Sequence, residues 1–199
     1  MKNITNCLLA IFVINFSFSQ KTESEINSIR KEHLIELKNP EAEVLNEEEI
    51  AHFKGLDYYD FDPSFQLITS FKKSKGKKFE MPTSTERKPI YRRYGYVYFE
   101  IANQKCTLEV YQNMALKKEK EFKNYLFIPF RDKTSTITTY GGGRFLDAKK
   151  IKGKTMLLDF NLAYNPYCAY SYRYSCPIPP VVNTLNVEIE AGEKVPIGH

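Results

Sequence analysis

The sequence predicts a mainly β protein: an antiparallel barrel or sandwich that follows one or two N-terminal helices. Apolar residues recur every three or four positions only near the start of the chain, and at every second position afterwards. Short turns join the alternating runs without helical crossovers, which favours antiparallel strands. A chain of 199 residues, 42% of them hydrophobic, can bury one core of ordinary size. We therefore expect a helix and linker over residues 21–44 and a single β-rich domain over residues 45–197.

Residues 1–20 have the features of a signal peptide. Lys2 precedes an apolar run, Leu8–Ile14, and small and polar residues follow it. The run is shorter than the ~20 residues needed to span a bilayer, and no comparable run occurs later. We therefore expect an exported protein, periplasmic or secreted, without a transmembrane segment.

Two helices are predicted before the strands begin. Thr22 and Glu25 form a capping box, and apolar positions then recur at helical spacing until Asn39-Pro40 ends the helix. A second, shorter helix has Asn46 as its N-cap and Gly55 as its terminator.

Alternation then predicts about six to nine strands. A first hairpin is predicted over residues 65–81, with its turn in the lysine-rich segment Lys72–Lys78. A second hairpin, rich in tyrosine, turns at Asn103-Gln104. Three further runs have the length of a strand: Tyr125–Phe130, Thr155–Phe160 and Leu185–Ile189.

The charge is concentrated in the middle of the chain, where residues 63–154 carry 21 basic and 8 acidic side chains. Such an excess could attract nucleic acid or an anionic surface. Its densest part, Lys72–Lys78, is typical of a solvated hairpin tip. We therefore expect no nucleic-acid partner.

Three cysteines follow the leader. In an oxidising compartment, Cys168 and Cys176 could form a disulfide that closes a short loop. Cys106 alternates with apolar residues and is interpreted as a buried core thiol.

Familiar signatures of cofactor sites are missing. The glycines of Tyr140–Arg144 lack the spacing of a dinucleotide-binding loop, and Gly153-Lys154-Thr155 lacks the first glycine and the helix of a phosphate loop. Asp57, Asp60 and Asp62 lie close together but lack the glycine turn and distal glutamate of a calcium loop.

The three histidines offer no zinc-binding spacing, and none lies in the cysteine-bearing half except the terminal His199. His33 and His52 fall in the predicted helices, where they are interpreted as packing or surface residues. We predict no metal and no cofactor.

Polar and ionisable residues are concentrated in the forty residues from Arg144 to Asn183, which include a long loop, residues 161–183, rich in proline, tyrosine and asparagine. Two carboxylates are candidate catalytic acids or bases, Asp147 and Asp159. The candidate ligand-binding residues are Arg144, Asp159, Asn161, Tyr164 and Asn165. The same residues could instead brace the loop, because asparagine and aspartate bind backbone amides readily.

Five segments of the chain together form a recognisable pattern: Phe127–Asp132, Thr139–Asp147, Asp159–Tyr170, Tyr174–Pro180 and Ala191–Lys194. This pattern resembles a known family, domain of unknown function 1684, and the resemblance covers about residues 45–197. The chain departs from the family pattern at Thr136, where a glycine is expected. The resemblance implies a bacterial, often exported domain, and it implies no reaction.

Three hypotheses about function follow. The first is a pocket, formed by the Gly-rich turn and the cysteine-bearing loop, that binds a small polar or anionic ligand through Arg144. The second is a hydrolase acting on envelope or nutrient material, with Asp147 or Asp159 as its acid or base. The third is a protein-interaction module that uses the exposed tyrosines of the second hairpin and the basic turns.

Overall fold

The computed structural model describes residues 20–197. The predicted signal peptide, and with it the prediction of export, falls on residues outside this range. The first helix, α1 (Glu23–Lys38), begins at the predicted capping box of Thr22 and Glu25 and buries Ile26 and Leu37. The second helix, α2 (Glu47–His52), begins at a second capping box, between Asn46 and Glu49. Residues 20–197 include no helix with the length and apolar content needed to cross a membrane.

Seven antiparallel strands follow and form one curved sheet, a half-barrel, which confirms the predicted fold class. Along the sheet the order is β6-β5-β4-β3-β1-β7, and β2 pairs with β3. The strands are β1 (Gln66–Lys73), β2 (Lys78–Glu80), β3 (Ile90–Ile101), β4 (Gln104–Asn113), β5 (Tyr125–Phe130), β6 (Arg144–Lys149) and β7 (Thr155–Asp159).

The first predicted hairpin is wrong. Strands β1 and β2 do not pair with each other; both pair with β3, one after the other along the same edge. The register of β3 shifts between Arg93 and Gly95, and the lysine-rich segment passes alongside this bulge. Gly95 is required there, because a Cβ would lie 2.6 Å from the Lys72 carbonyl oxygen. The segment is therefore held against the sheet and is not a free hairpin tip.

The predicted strand Leu185–Ile189 is also absent, although its alternation of buried and exposed residues is present. The segment lies beside residues 131–133, but its contacts are irregular. Leu185 N donates to the Arg131 carbonyl, whereas Ile189 N donates to the Asp132 side chain at 2.8 Å. Because a carboxylate replaces a backbone partner, no regular ladder forms.

Both faces of the sheet are covered. One face packs into the main core. Leu185, Val187 and Ile189 of the C-terminal segment are also part of this core. The other face packs a smaller cluster around Tyr111 and Phe127. A third cluster joins the two helices to the tyrosines of the 161–183 loop. Helix α1 and this loop therefore pack against each other.

Candidate functional site

Arg144 lies in the interior, with 1% of its surface exposed. Its guanidinium donates to the carbonyl oxygens of Ala191, Glu193 and Ile189. It also forms an ion pair with the buried carboxylate of Asp132 at 3.3 Å. These contacts of its two terminal nitrogens fasten the C-terminal segment to β6, whereas its Nε is buried without a hydrogen-bond partner among the described residues.

Asp159 and Asn161 are also buried and bind the chain itself. The Asn161 side chain exchanges two hydrogen bonds with the backbone of Asp62, at 3.0 and 2.9 Å, as a strand partner would. Asp159 accepts from Gln66 Nε2 at 2.9 Å and from Asn161 Nδ2 at 3.1 Å. The pair therefore fixes the end of β7 to the start of the sheet.

Asn165 is fully buried beside a buried carboxyl group, that of Glu193. Its Nδ2 donates to the Lys194 carbonyl at 2.7 Å and to the Tyr170 hydroxyl at 3.0 Å. The Glu193 carboxyl accepts from the Asn165 backbone N–H at 2.9 Å and contacts the Tyr170 hydroxyl. Burial raises the pKa of Glu193 to about 8.

Four of the five candidate ligand residues thus lie inside the protein, in contacts that favour the bracing interpretation. The Gly-rich turn lines a separate cavity of about 320 Å³, formed with Thr136, Thr139 and Val195, and Arg144 is not part of its wall. Thr136, the departure from the family pattern, adopts the left-handed conformation with φ +73°. The expected glycine is the residue that accepts this φ without strain.

Tyr164 and Asp147 differ from the other candidates because both face a cavity of about 560 Å³ beneath α1. We call it the α1 cavity. Its apolar and aromatic wall consists of Ile29, Tyr58, Leu116, Phe122, Tyr125, Leu162, Tyr164 and Tyr167. Its remaining lining is ionisable: Arg30, His33, Glu36 and Asp147.

Asp147 is held by two tyrosines within this cavity. The hydroxyls of Tyr125 and Tyr164 both donate to its Oδ1, at 2.7 and 2.8 Å. Its other oxygen, Oδ2, has no hydrogen-bond partner within residues 20–197, and Asp147 is an exposed residue that lines the cavity. The surrounding protein raises the pKa of Asp147 by desolvation, and the two hydroxyls oppose this rise.

Helix α1 adds a histidine and an arginine that sequence analysis missed. His33 Nδ1 lies 3.3 Å from the Tyr58 hydroxyl, and burial lowers the pKa of His33. Arg30 stacks on the Tyr58 ring at 4.5 Å and donates to the Asn161 carbonyl at 3.2 Å. Arg30 and His33 are three residues apart and share one helix face, where they interrupt the apolar stripe. This break in the apolar helix face was the sequence feature that could have marked Arg30 and His33 as candidate site residues.

Cys168 and Cys176 are free thiols in this structure. Their disulfide therefore remains a prediction for an oxidising compartment. They are neighbours, with the backbone N–H of Cys168 donating to Cys176 Sγ at 3.3 Å. The hydrogen bond with Cys176 lowers the pKa of the Cys168 thiol to about 7 and raises that of its partner. Cys106 is buried, as predicted.

The tyrosines of the second hairpin, which the interaction hypothesis uses, are only partly available. Tyr94 is buried, Tyr96 is half-buried beneath Arg93, and Tyr98 is 40% exposed. For metals, the described part of the chain contains no group of three or more His, Cys, Asp or Glu residues that could hold an ion.

Comparisons with known proteins identify relatives but no activity. The family model "Protein of unknown function (DUF1684)" matches residues 51–194. The chain is similar to the solution NMR structure of an uncharacterised protein from Haloarcula marismortui. The two share 30% sequence identity over 89% of this chain and 96% of that one, with a TM-score of 0.68. Among curated proteins, none matches. The chain therefore belongs to the DUF1684 family of proteins of unknown function.

Proposed function

We propose that the α1 cavity binds a small ligand with a flat apolar or aromatic body and a hydrogen-bond donor, such as a hydroxyl or an amine. The observation that supports this most directly is the state of Asp147. One of its carboxylate oxygens is held by Tyr125 and Tyr164, while Oδ2 has no hydrogen-bond partner among the described residues, and Asp147 is an exposed residue of the cavity lining. A ligand donor would occupy Oδ2.

The size and the walls of the cavity suit such a ligand. Small-molecule sites are concave, mostly apolar and usually about 300–1,000 Å³ in volume, with a few fixed polar groups. The α1 cavity, at about 560 Å³, combines four tyrosines with four aliphatic or phenylalanine side chains. Tyrosine rings stack on aromatic bodies and on the apolar faces of sugars.

The charge of the cavity favours a neutral or cationic ligand. Two carboxylates, Asp147 and Glu36, share the lining with Arg30. The Arg30 guanidinium is already stacked on Tyr58 and bonded to a backbone carbonyl. The proposal therefore keeps the small polar ligand of the first hypothesis, places it under α1, and omits its anionic form.

A fragment screen tests this proposal. Binding of amine- and hydroxyl-bearing aromatic fragments and of monosaccharides would be followed in ¹H–¹⁵N NMR spectra of the wild type and of Asp147→Asn. The asparagine keeps an acceptor for the tyrosines but removes the charge, so affinity should fall by about ten- to a hundredfold. Asp57→Asn, which removes an exposed carboxylate outside the cavity, is the control. Equal affinity in all three proteins would exclude Asp147 as the ligand contact.

A hydrolase remains the second candidate, and one observation favours it. Asp147 combines a raised pKa with access from a cavity that also holds His33, which is the environment of many general acids and bases. We would assay ester and glycoside substrates across pH. Activity should be lost in Asp147→Asn and kept in Asp159→Asn, provided that the latter folds, because Asp159 is buried and bonded. The opposite result would contradict this assignment.

We also propose that the protein is exported, supported by the charged, apolar and polar sequence of residues 1–20. N-terminal sequencing of the protein recovered from its native host tests this. The mature chain should begin close to residue 21, and an intact leader on protein from the cytosol would contradict it.

A further inference from the structure

Five cationic side chains converge on a second concave site, whose lining shares no residue with the α1 cavity. It is a cleft of about 170 Å³ beside the bulge in β3. We call it the basic cleft; its cations are Lys73, Lys75, Arg92, Lys117 and Lys150, and Tyr94 forms one wall. The cations come from four separate parts of the chain.

Backbone contacts hold these parts together. Beyond β1, Ser74 N donates to the Tyr94 carbonyl and Gly76 N donates to the Arg93 carbonyl, both at 3.1 Å. The lysine-rich segment therefore runs beside Arg92. Across the cleft, the Lys150 ammonium donates to the Lys123 carbonyl, which keeps it against the sheet.

The positive charge is not neutralised by the protein. Within residues 20–197, none of the five cations has a carboxylate within 4.0 Å. Arg92 Nε is buried and has no hydrogen-bond partner. The ammonium groups of Lys73 and Lys150 both lie over the Tyr94 ring, at 5.5 and 5.9 Å. Burial and the neighbouring lysines lower the pKa of Lys150.

Convergent like charges raise the free energy of a folded protein unless an anion joins them. An oxyanion accepts charge-assisted hydrogen bonds from both arginine and lysine, and a guanidinium offers it a fork of donors. The cleft is too small for a drug-sized molecule and has room for a compact group. We propose that the basic cleft binds a phosphate- or sulfate-type oxyanion group of a larger molecule.

Titration of the whole protein with inorganic pyrophosphate, followed in ¹H–¹⁵N NMR spectra, tests this proposal. Saturable shifts are expected at the amides of Tyr94, Gln112 and Lys150. Arg92→Lys keeps the charge but loses the planar, forked donors of the guanidinium, so binding should weaken about tenfold or more. Lys150→Gln should have a similar effect. If either variant fails to fold, Lys75→Gln removes an exposed cation of the same cleft and should also weaken binding.

Lys105→Gln is the control for net charge. Lys105 is exposed and lies seven residues from Gln112 along β4, or roughly 23 Å at the rise of a strand. It should bind pyrophosphate as the wild type does. Absence of saturable shifts, or equal affinity in Arg92→Lys, Lys150→Gln and Lys105→Gln, would overturn the proposal.

A second measurement distinguishes two sources of the oxyanion. The protein is sedimented with phosphatidylcholine vesicles that contain or lack phosphatidylglycerol. Binding only to the anionic vesicles, reversed by pyrophosphate, supports the site and assigns it to a lipid headgroup. Pyrophosphate binding without vesicle binding supports the site and assigns it to a soluble phosphorylated or sulfated molecule.

Discussion

The buried carboxyl of Glu193 should make the protein less stable as the pH rises. Burial raises the pKa of Glu193 to about 8 in the folded protein, against 4.5 for an ordinary glutamate. At pH values below 4.5, the Glu193 carboxyl is protonated in both the folded and the unfolded state, and its contribution to stability is complete. Between pH 4.5 and about 8 the unfolded chain has lost the proton while the folded protein keeps it, so stability falls by ~1.4 kcal/mol per pH unit. The loss ends above pH 8, after at most ~5 kcal/mol.

Replacing Glu193 by glutamine should remove this loss. The amide oxygen can still accept from the Asn165 N–H, and the amide nitrogen can donate to the Tyr170 hydroxyl oxygen, so both contacts survive. The glutamine is neutral at every pH in both states. We therefore expect Glu193→Gln to equal the wild type near pH 4.5 and to exceed it by several kcal/mol near pH 8.

Urea unfolding of both proteins, followed by circular dichroism at pH 5, 6, 7 and 8 and constant ionic strength, measures the effect. The difference between the two proteins isolates Glu193 from His33. Burial lowers the pKa of His33, so its contribution runs the other way: stability is lost as the pH falls through the ordinary histidine value. Glu190→Gln, which removes an exposed carboxylate from the same segment, is the charge control. If the stability of Glu193→Gln fell with pH as steeply as that of the wild type, Glu193 would not be the group responsible.

Three further substitutions test individual structural features by urea unfolding. Thr136→Gly should stabilise the protein by ~1 kcal/mol, because a β-branched residue is strained at φ +73°. Ile137→Gly, beside it, should destabilise the protein. A change in stability of the same sign in both variants would contradict this. Arg144→Met should destabilise by ~3–5 kcal/mol, because it leaves the buried Asp132 carboxylate unpaired, and a loss below ~1 kcal/mol would reject that role. Gly95→Ala should cost ~1–3 kcal/mol, because its Cβ would meet the Lys72 carbonyl and the Phe71 ring; no loss would show that the bulge relaxes.

Local sequence signals predicted the elements well where the stabilising contacts are local. Both capping boxes join residues three positions apart, so Thr22 and Asn46 marked the helix starts correctly. The alternation in β3 and β4 likewise predicted a hairpin that forms as expected. Pairing partners were harder to predict, because alternation shows that a strand has a buried face but not which strand lies beside it. For that reason the order of β1 and β2 along β3 was missed.

The candidate site, too, could be predicted only in part, because its residues come together through long-range packing. Within the loop region, Asp147, Asp159 and Asn161 looked alike in sequence, since a brace and a ligand contact use the same polar residue types. Burial separates them: Asn161 is fully buried and bonded to Asp62, whereas Asp147 is an exposed residue that lines a cavity. His33 could not be assigned to the cavity from sequence, because it lies more than a hundred residues from Asp147 in the chain.

The fold class, the two helix starts and the family could be predicted from the sequence, because periodicity, capping and motif residues are properties of neighbouring positions. Which polar residues are available for chemistry became clear from the packing of the folded chain. The same folding that buried Arg144 against Asp132 left Asp147 accessible beneath α1 and brought five cations together beside β3. Availability depends on which distant segments cover a side chain, and that depends on long-range packing.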